Sequence, residues 1–122
     1  MEQGNNVFKK ALDTLKSAKF NFNGGYFNAS INRSYYAVFY AAKALLFKKG
    51  LNPKTHSGTI RQFGLEYVVN GEFDEHIAKI LSSLQEERTS VDYDYDFNSS
   101  KDEAKLDLNN AELFIKECKK FL

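Results

Sequence analysis

The chain is poor in residues that staple or break small folds. Among 122 residues there is one cysteine, one proline, one methionine and no tryptophan. A lone cysteine excludes an internal disulfide and suits a reducing compartment. Cys118 lies on an apolar helical stripe, which reads as a small buried core residue and not a reactive thiol. With Pro53 the only proline, long stretches are free to be helical. No apolar run is long enough to cross a bilayer, and the opening MEQGNNVFKK lacks the apolar core of a signal peptide. A cytoplasmic protein without membrane contact is expected. There is no paired Cys/His set, glycine-rich phosphate loop or Ser/His/Asp arrangement, so no metal and no cofactor is expected. Asp92, Asp94, Asp96, Asn98, Ser100 and Glu103 do follow the spacing of a calcium loop, but Phe97 stands where its sharp turn requires glycine. Glu103 is better read as a helix cap.

Aromatic residues are plentiful: eleven Phe and seven Tyr predict an aromatic core. The length suits one domain, residues 1–122, burying about two-thirds of its unfolded surface. Net charge is +1, yet residues 1–64 carry ten Lys/Arg against two acids, and residues 65–122 seven against fourteen. One reading is a basic surface for nucleic acid or nucleotide phosphate. The favoured one is basic N-terminal helices packed beside acidic C-terminal ones, within a subunit or across a dimer.

Five helical stretches can be read. The first, about Asn5 to Phe22, shows Phe8, Leu12, Leu15 and Ala18 on one face and stops at Asn23-Gly24-Gly25. The second, about Tyr26 to Lys49, stops at Lys48-Lys49-Gly50. A turn at Leu51-Asn52-Pro53-Lys54 leads to the third, about Thr55 to Val69, with Ile60, Phe63 and Tyr67 inward. The fourth runs from about Phe73 to Val91 with Ile77, Ile80, Leu81 and Leu84. Ser99 and Ser100 stand three residues before Asp102 and Glu103, a capping arrangement opening the fifth. Its stripe is Ala104, Leu108, Ala111, Ile115, Cys118 and Leu122. The expected fold is all-α, an antiparallel bundle of four long helices plus one shorter one.

The second helix carries the most unusual pattern. Ile31, Tyr35, Val38, Ala42 and Leu45 step along one buried stripe, and Arg33, Tyr36, Tyr40, Ala44 and Phe47 mark a second, largely apolar face. A helix apolar on both faces belongs in the middle of a bundle. Arg33 is therefore expected to be buried and to need partners, since an unpaired buried charge is costly.

The ordered set NRSYYAVFYAAKALL, KTHSG and Arg88-x-x-x-Asp92-Tyr93 resembles the HEPN family (higher eukaryote and prokaryote nucleotide-binding), in particular its small stand-alone prokaryotic members. The resemblance spans about residues 26 to 122. It implies a helical bundle, commonly dimeric, with a polar cleft at or near the dimer interface. Many members are metal-independent ribonucleases acting as toxins or in RNA processing. Others accompany a minimal nucleotidyltransferase in toxin–antitoxin pairs. Catalytic members resemble one another in an Arg followed after four to six residues by His, the base for 2′-OH attack beside a cation for the phosphate.

Here that pair is missing. The corresponding positions hold Val38, Phe39 and Tyr40 after Arg33, and Tyr93, Asp94 and Tyr95 after Arg88. Tyr93 stands where His would be, and a tyrosine is a poor general base near pH 7. The candidate ligand-binding residues are Arg33, Tyr36, Tyr40, Arg88, Asp92, Tyr93 and Tyr95, with Arg33 and Arg88 converging and Asp92 orienting one of them. The alternatives are a structural pair of Arg33 with Asp92 or Glu87, and Arg88 serving the last carbonyls of its helix. His56 is a candidate replacement base, though a capping or hydrogen-bonding role is favoured. The favoured function is a non-catalytic or weakly active partner of a minimal nucleotidyltransferase that binds RNA or nucleotide, as a homodimer. An active endoribonuclease using Arg33, Arg88 and His56 is the alternative, and a structural helical adaptor the second.

Overall fold

The computed structural model describes residues 2–94 and 96–122, and they form the expected all-α bundle. Its elements are α1 (Glu2–Asn23), α2 (Phe27–Lys48), α3 (His56–Phe63), a π-helical continuation (Gly64–Val69), α4 (Glu75–Tyr93) and α5 (Lys101–Lys119). No strand occurs among the described residues.

α2 is central, and α1, α3, α4 and α5 all pack on it. Ile31, Tyr35, Val38, Ala42 and Leu45 are fully buried, as the spacing predicts. A further stripe of small residues accounts for its central place. Ser30, Ser34, Ala37 and Ala41 are buried and small, so α1 approaches closely through Ala11 and Ala18, and the Ser30 hydroxyl donates to the Ala18 carbonyl at 2.9 Å. The hairpin between α1 and α2 turns at Gly25, whose φ of +84° suits a residue without a side chain. At the far end Gly50 adopts φ +77°, and the amides of Gly50 and Leu51 close on the carbonyls of Phe47 and Leu46.

The third helix is expected to run unbroken to Val69, but it widens at Gly64 into a π-helical turn. The extra residue per turn delivers Tyr67 to the core, where its ring stacks on Phe63 (centroids 5.4 Å apart) and its hydroxyl donates to the Leu45 carbonyl. Phe73, Phe114 and Phe121 complete an aromatic cluster around them. α5 opens on the expected capping box. The Glu103 amide donates to Ser100 Oγ at 3.1 Å and the Ser100 amide to Glu103 Oε1 at 3.3 Å. Its stripe is buried through Cys118, whose thiol burial pushes well above its ordinary pKa. Leu122 departs from the stripe and is 46% exposed, because α5 ends at Lys119.

Candidate phosphate-binding cluster

The N-terminal half of α2 meets the C-terminal half of α4, and α3 begins beside them. α2 contributes Asn32, Arg33, Tyr35, Tyr36 and Phe39; α4 contributes Gln85, Arg88 and Asp92; α3 contributes His56.

Arg88, not Arg33, is the buried arginine. Arg88 is 9% exposed, whereas Arg33 is partly open to solvent. This corrects the expectation for Arg33: its side chain borders an open cavity between α1, α2 and α4, while Arg88 continues the Ile80–Leu81–Leu84 face of α4 into the bundle. The Arg88 guanidinium lies over the rings of Tyr35 (5.2 Å) and Tyr36 (5.7 Å). One terminal nitrogen donates to Asp92 Oδ2 at 3.3 Å and the other to Gln85 Oε1 at 3.2 Å. Its Nε is buried and has no partner among the described residues, an unspent donor next to the only acid that contacts it. Burial opposes the charge, but Tyr36, Asp92 and Tyr35 outweigh it and hold the pKa above its ordinary value.

Arg33 joins the same network through Asn32. The Asn32 amide nitrogen donates to both Asp92 oxygens at 3.0 and 3.1 Å, and its oxygen accepts from Arg33 Nε and Nη2 at 2.9 and 2.6 Å. The chain Arg33–Asn32–Asp92–Arg88 thus fixes two guanidiniums on two helices. Arg33 also lies 5.0 Å from the Tyr36 ring, so one tyrosine ring serves both cations. Tyr40 stands one turn on, 6.0 Å from Tyr36, with the Lys10 ammonium 4.6 Å from its ring. A cavity of ≈ 310 Å³ opens beside Arg33, Asn32 and Asp92, lined also by Asn21, Asn28 and Val91.

His56 is not the helix cap. Thr55 accepts from the Gly58 amide at 2.9 Å, and a side chain at Gly58 would bring Cβ to 2.8 Å from that oxygen. His56 instead turns to α2, stacks on Phe39 (4.5 Å) and lies with Nδ1 2.6 Å from the Tyr35 hydroxyl. Burial raises the Tyr35 pKa far above its ordinary value despite Arg88, so the phenol keeps its proton and, when the imidazole carries its own on Nε2, donates a hydrogen bond to Nδ1. In that tautomer the basic lone pair of the imidazole is occupied. Burial and then the Arg88 charge lower its pKa, with Gln85 hydrogen-bonding against the trend.

The sequence places Arg33, Tyr36, Tyr40, Arg88 and Asp92 together, and the structure does so too, with Asp92 orienting Arg88 as expected. The proposed pairing of Arg33 with Asp92 or Glu87 does not form; Asn32 intervenes. Nor does Arg88 serve the last carbonyls of α4, since its side chain turns inward to Gln85 and Asp92. Tyr93 is 72% exposed and outside the network, and Tyr95 lies outside the described residues. Asn32, Tyr35 and Gln85 were not expected in the site. Gln85 had a signal, three residues before Arg88 on one helix face. Among the described residues, no group of three His, Cys, Asp or Glu side chains is arranged to hold a metal.

A five-helix bundle with paired cations at a helix junction defines a class of small helical proteins, and comparison with known families narrows it. The HEPN domain matches residues 5–121, and the chain belongs to that family. It is 38% identical over 112 residues to "Putative toxin MJ0605" of Methanocaldococcus jannaschii, covering 92% of this chain and 83% of that protein. A second protein of that organism, "Putative toxin MJ0142", is 31% identical over 116 residues, covering 95% and 79%. A UPF0332 protein of Thermotoga maritima is 30% identical over 114 residues, covering 93% and 86%. The crystal structure of TT1696 from Thermus thermophilus superposes over 100% of both chains with a TM-score of 0.84 at 16% identity, a likeness of fold.

Proposed function

We propose that this HEPN protein binds RNA or nucleotide phosphate at the Arg33–Arg88 cluster, without efficient cleavage, as a regulatory partner of a minimal nucleotidyltransferase in a toxin–antitoxin-like system. The observation that carries the binding reading is the linked arginine pair, with Arg33 5.0 Å and Arg88 5.7 Å from the one Tyr36 ring. Two fixed guanidiniums suit phosphate oxygens, and half-exposed Tyr36 and Tyr40 offer faces to unstacked bases. Against cleavage stands His56: burial and then the Arg88 charge lower its pKa, and its Nδ1 is engaged by the Tyr35 hydroxyl. The family and the toxin names of the two methanogen relatives support the toxin–antitoxin setting. The nucleotidyltransferase and a homodimeric state come from the resemblance to the family.

The second reading, a metal-independent endoribonuclease, is favoured by the same arginine pair, whose charge would stabilise a developing phosphorane. One experiment separates the two: incubation of labelled single-stranded RNA with purified protein in EDTA, beside Arg33→Ala and Arg88→Ala. Binding by wild type that both substitutions weaken, without cleavage, is the expected result. Cleavage that both substitutions abolish overturns the non-catalytic reading, and no RNA binding by wild type overturns both.

A further inference from the structure

A groove of ≈ 680 Å³ runs between α1 and α5 and shares no residue with the arginine cluster. The two helices are antiparallel there, with Lys19 3.7 Å from Glu112 and Lys105 over the Phe22 ring. The groove's apolar lining is Leu12, Leu15, Leu113 and Ile115. Leu113 is 45% exposed, and Leu106, one heptad earlier on the same side of α5, is 59% exposed. Together they extend the apolar strip along α5.

The rim is basic. Lys116 and Lys119 line the groove, and exposed Lys9 and Lys16 sit one turn either side of Leu12. Among the described residues none of these four lysines has an acidic partner, while the one lining acid, Glu112, is taken by Lys19. A second copy fits this face poorly. A closed two-fold pairing would set the lysine rim against itself, and docking onto exposed Leu65 and Val69 would be head-to-tail and would not close.

We propose that the α1–α5 groove is a docking site for an amphipathic helix of another protein, with leucine-like side chains on one face and acidic residues flanking them. Apolar anchors spaced i, i+3, i+4 and i+7 would enter between Leu12 and Leu113, and the flanking carboxylates would meet Lys16, Lys116 and Lys119. This inference stands apart from the RNA reading.

The test uses a fluorescent helical peptide of about 18 residues, matched to the groove at about 1.5 Å per residue. It has leucines at those spacings and glutamates on the flanks; a control peptide carries lysines instead of the glutamates. The acidic peptide should bind, weakening about tenfold with Leu113→Ser and about tenfold with Lys116→Glu plus Lys119→Glu. The control peptide should prefer the charge-reversed variant, a gain that misfolding cannot produce. Affinity for single-stranded RNA should stay unchanged in every variant. Equal binding of both peptides, or binding of neither, overturns the proposal. So does a wild-type dimer in sedimentation that Leu113→Ser dissociates, which would give the groove to a second copy. Loss of RNA affinity in the charge-reversed variant would give it to nucleic acid and likewise overturn it.

Discussion

Asn32 and Asp92, sixty positions apart in sequence, are joined by one amide nitrogen that donates to both carboxylate oxygens at 3.0 and 3.1 Å. Because Asn32 also accepts from Arg33, it holds a cation of α2 to the acid that orients a cation of α4. The two arginines should consequently respond differently to removal.

Arg33→Ala deletes a half-exposed charge whose partner is a neutral amide. Stability should change by no more than about 0.5 kcal/mol, while RNA affinity falls about tenfold and its salt dependence flattens by about one phosphate. Arg88→Ala removes a buried donor that satisfies Gln85 and Asp92, and should cost about 1–3 kcal/mol as well as the binding. Urea melts beside anisotropy titrations at two salt concentrations read both quantities.

His56 makes folding sensitive to mild acid. Its folded pKa is lowered, so between that value and the ordinary one the unfolded chain binds more protons, and stability contributed by neutral His56 drains away as pH falls through that window. Below pH 6.5 the gap in Tm between wild type and His56→Gln should narrow. A gap that is constant from pH 8 to 5 would contradict the neutral, Tyr35-bonded imidazole.

Asp107 works in the opposite sense. It faces Glu87 and Glu103 between α4 and α5, its Oδ2 is buried without a partner, and burial followed by those two charges pushes its pKa up to about 7. Between its ordinary value and about 7 the folded state holds a proton the unfolded chain has released, so this carboxyl costs stability increasingly from about pH 4 up to about pH 7 and by a constant amount above that. Asp107→Asn should raise Tm most at pH 8, by less at pH 5, and leave it nearly unchanged at pH 3, measured by thermal melts.

Gly71 follows the π-helical turn so closely that a Cβ there would lie 2.8 Å from the Tyr67 carbonyl and 3.0 Å from that of Glu66. Both neighbours are backbone atoms and cannot swing aside. Gly71→Ala should cost about 1–3 kcal/mol by strain, read as a lowered urea midpoint, without change in RNA affinity.

The helices were legible because their stops and caps are chemical: Gly25 and Gly50 at positive φ, Ser100 with Glu103, and the apolar step from Ile31 to Leu45. The π-helical turn was not, since apolar residues four apart at Phe63 and Tyr67 read the same whether the backbone bonds close over four residues or five. In the site, residue types pointed to Arg33, Arg88 and Asp92, yet which arginine is buried depended on how the helices pack, with Arg33 left beside an open cavity and Arg88 on the inward face of α4. The Tyr35–His56 contact joins residues of two helices through a single hydroxyl, and no spacing within either helix encodes it.

The α1–α2 hairpin closes through a short glycine turn and a seam of small side chains, all from contacts near in sequence, whereas α4 must be brought in from far along the chain. Half of the cluster, with Arg33, Tyr36 and Tyr40, belongs to the part that can assemble first; Arg88 and Asp92 arrive only when α4 docks. The arginine pair is thus complete only once α4 has docked, and a partly folded chain would carry tyrosines and one arginine but not the pair.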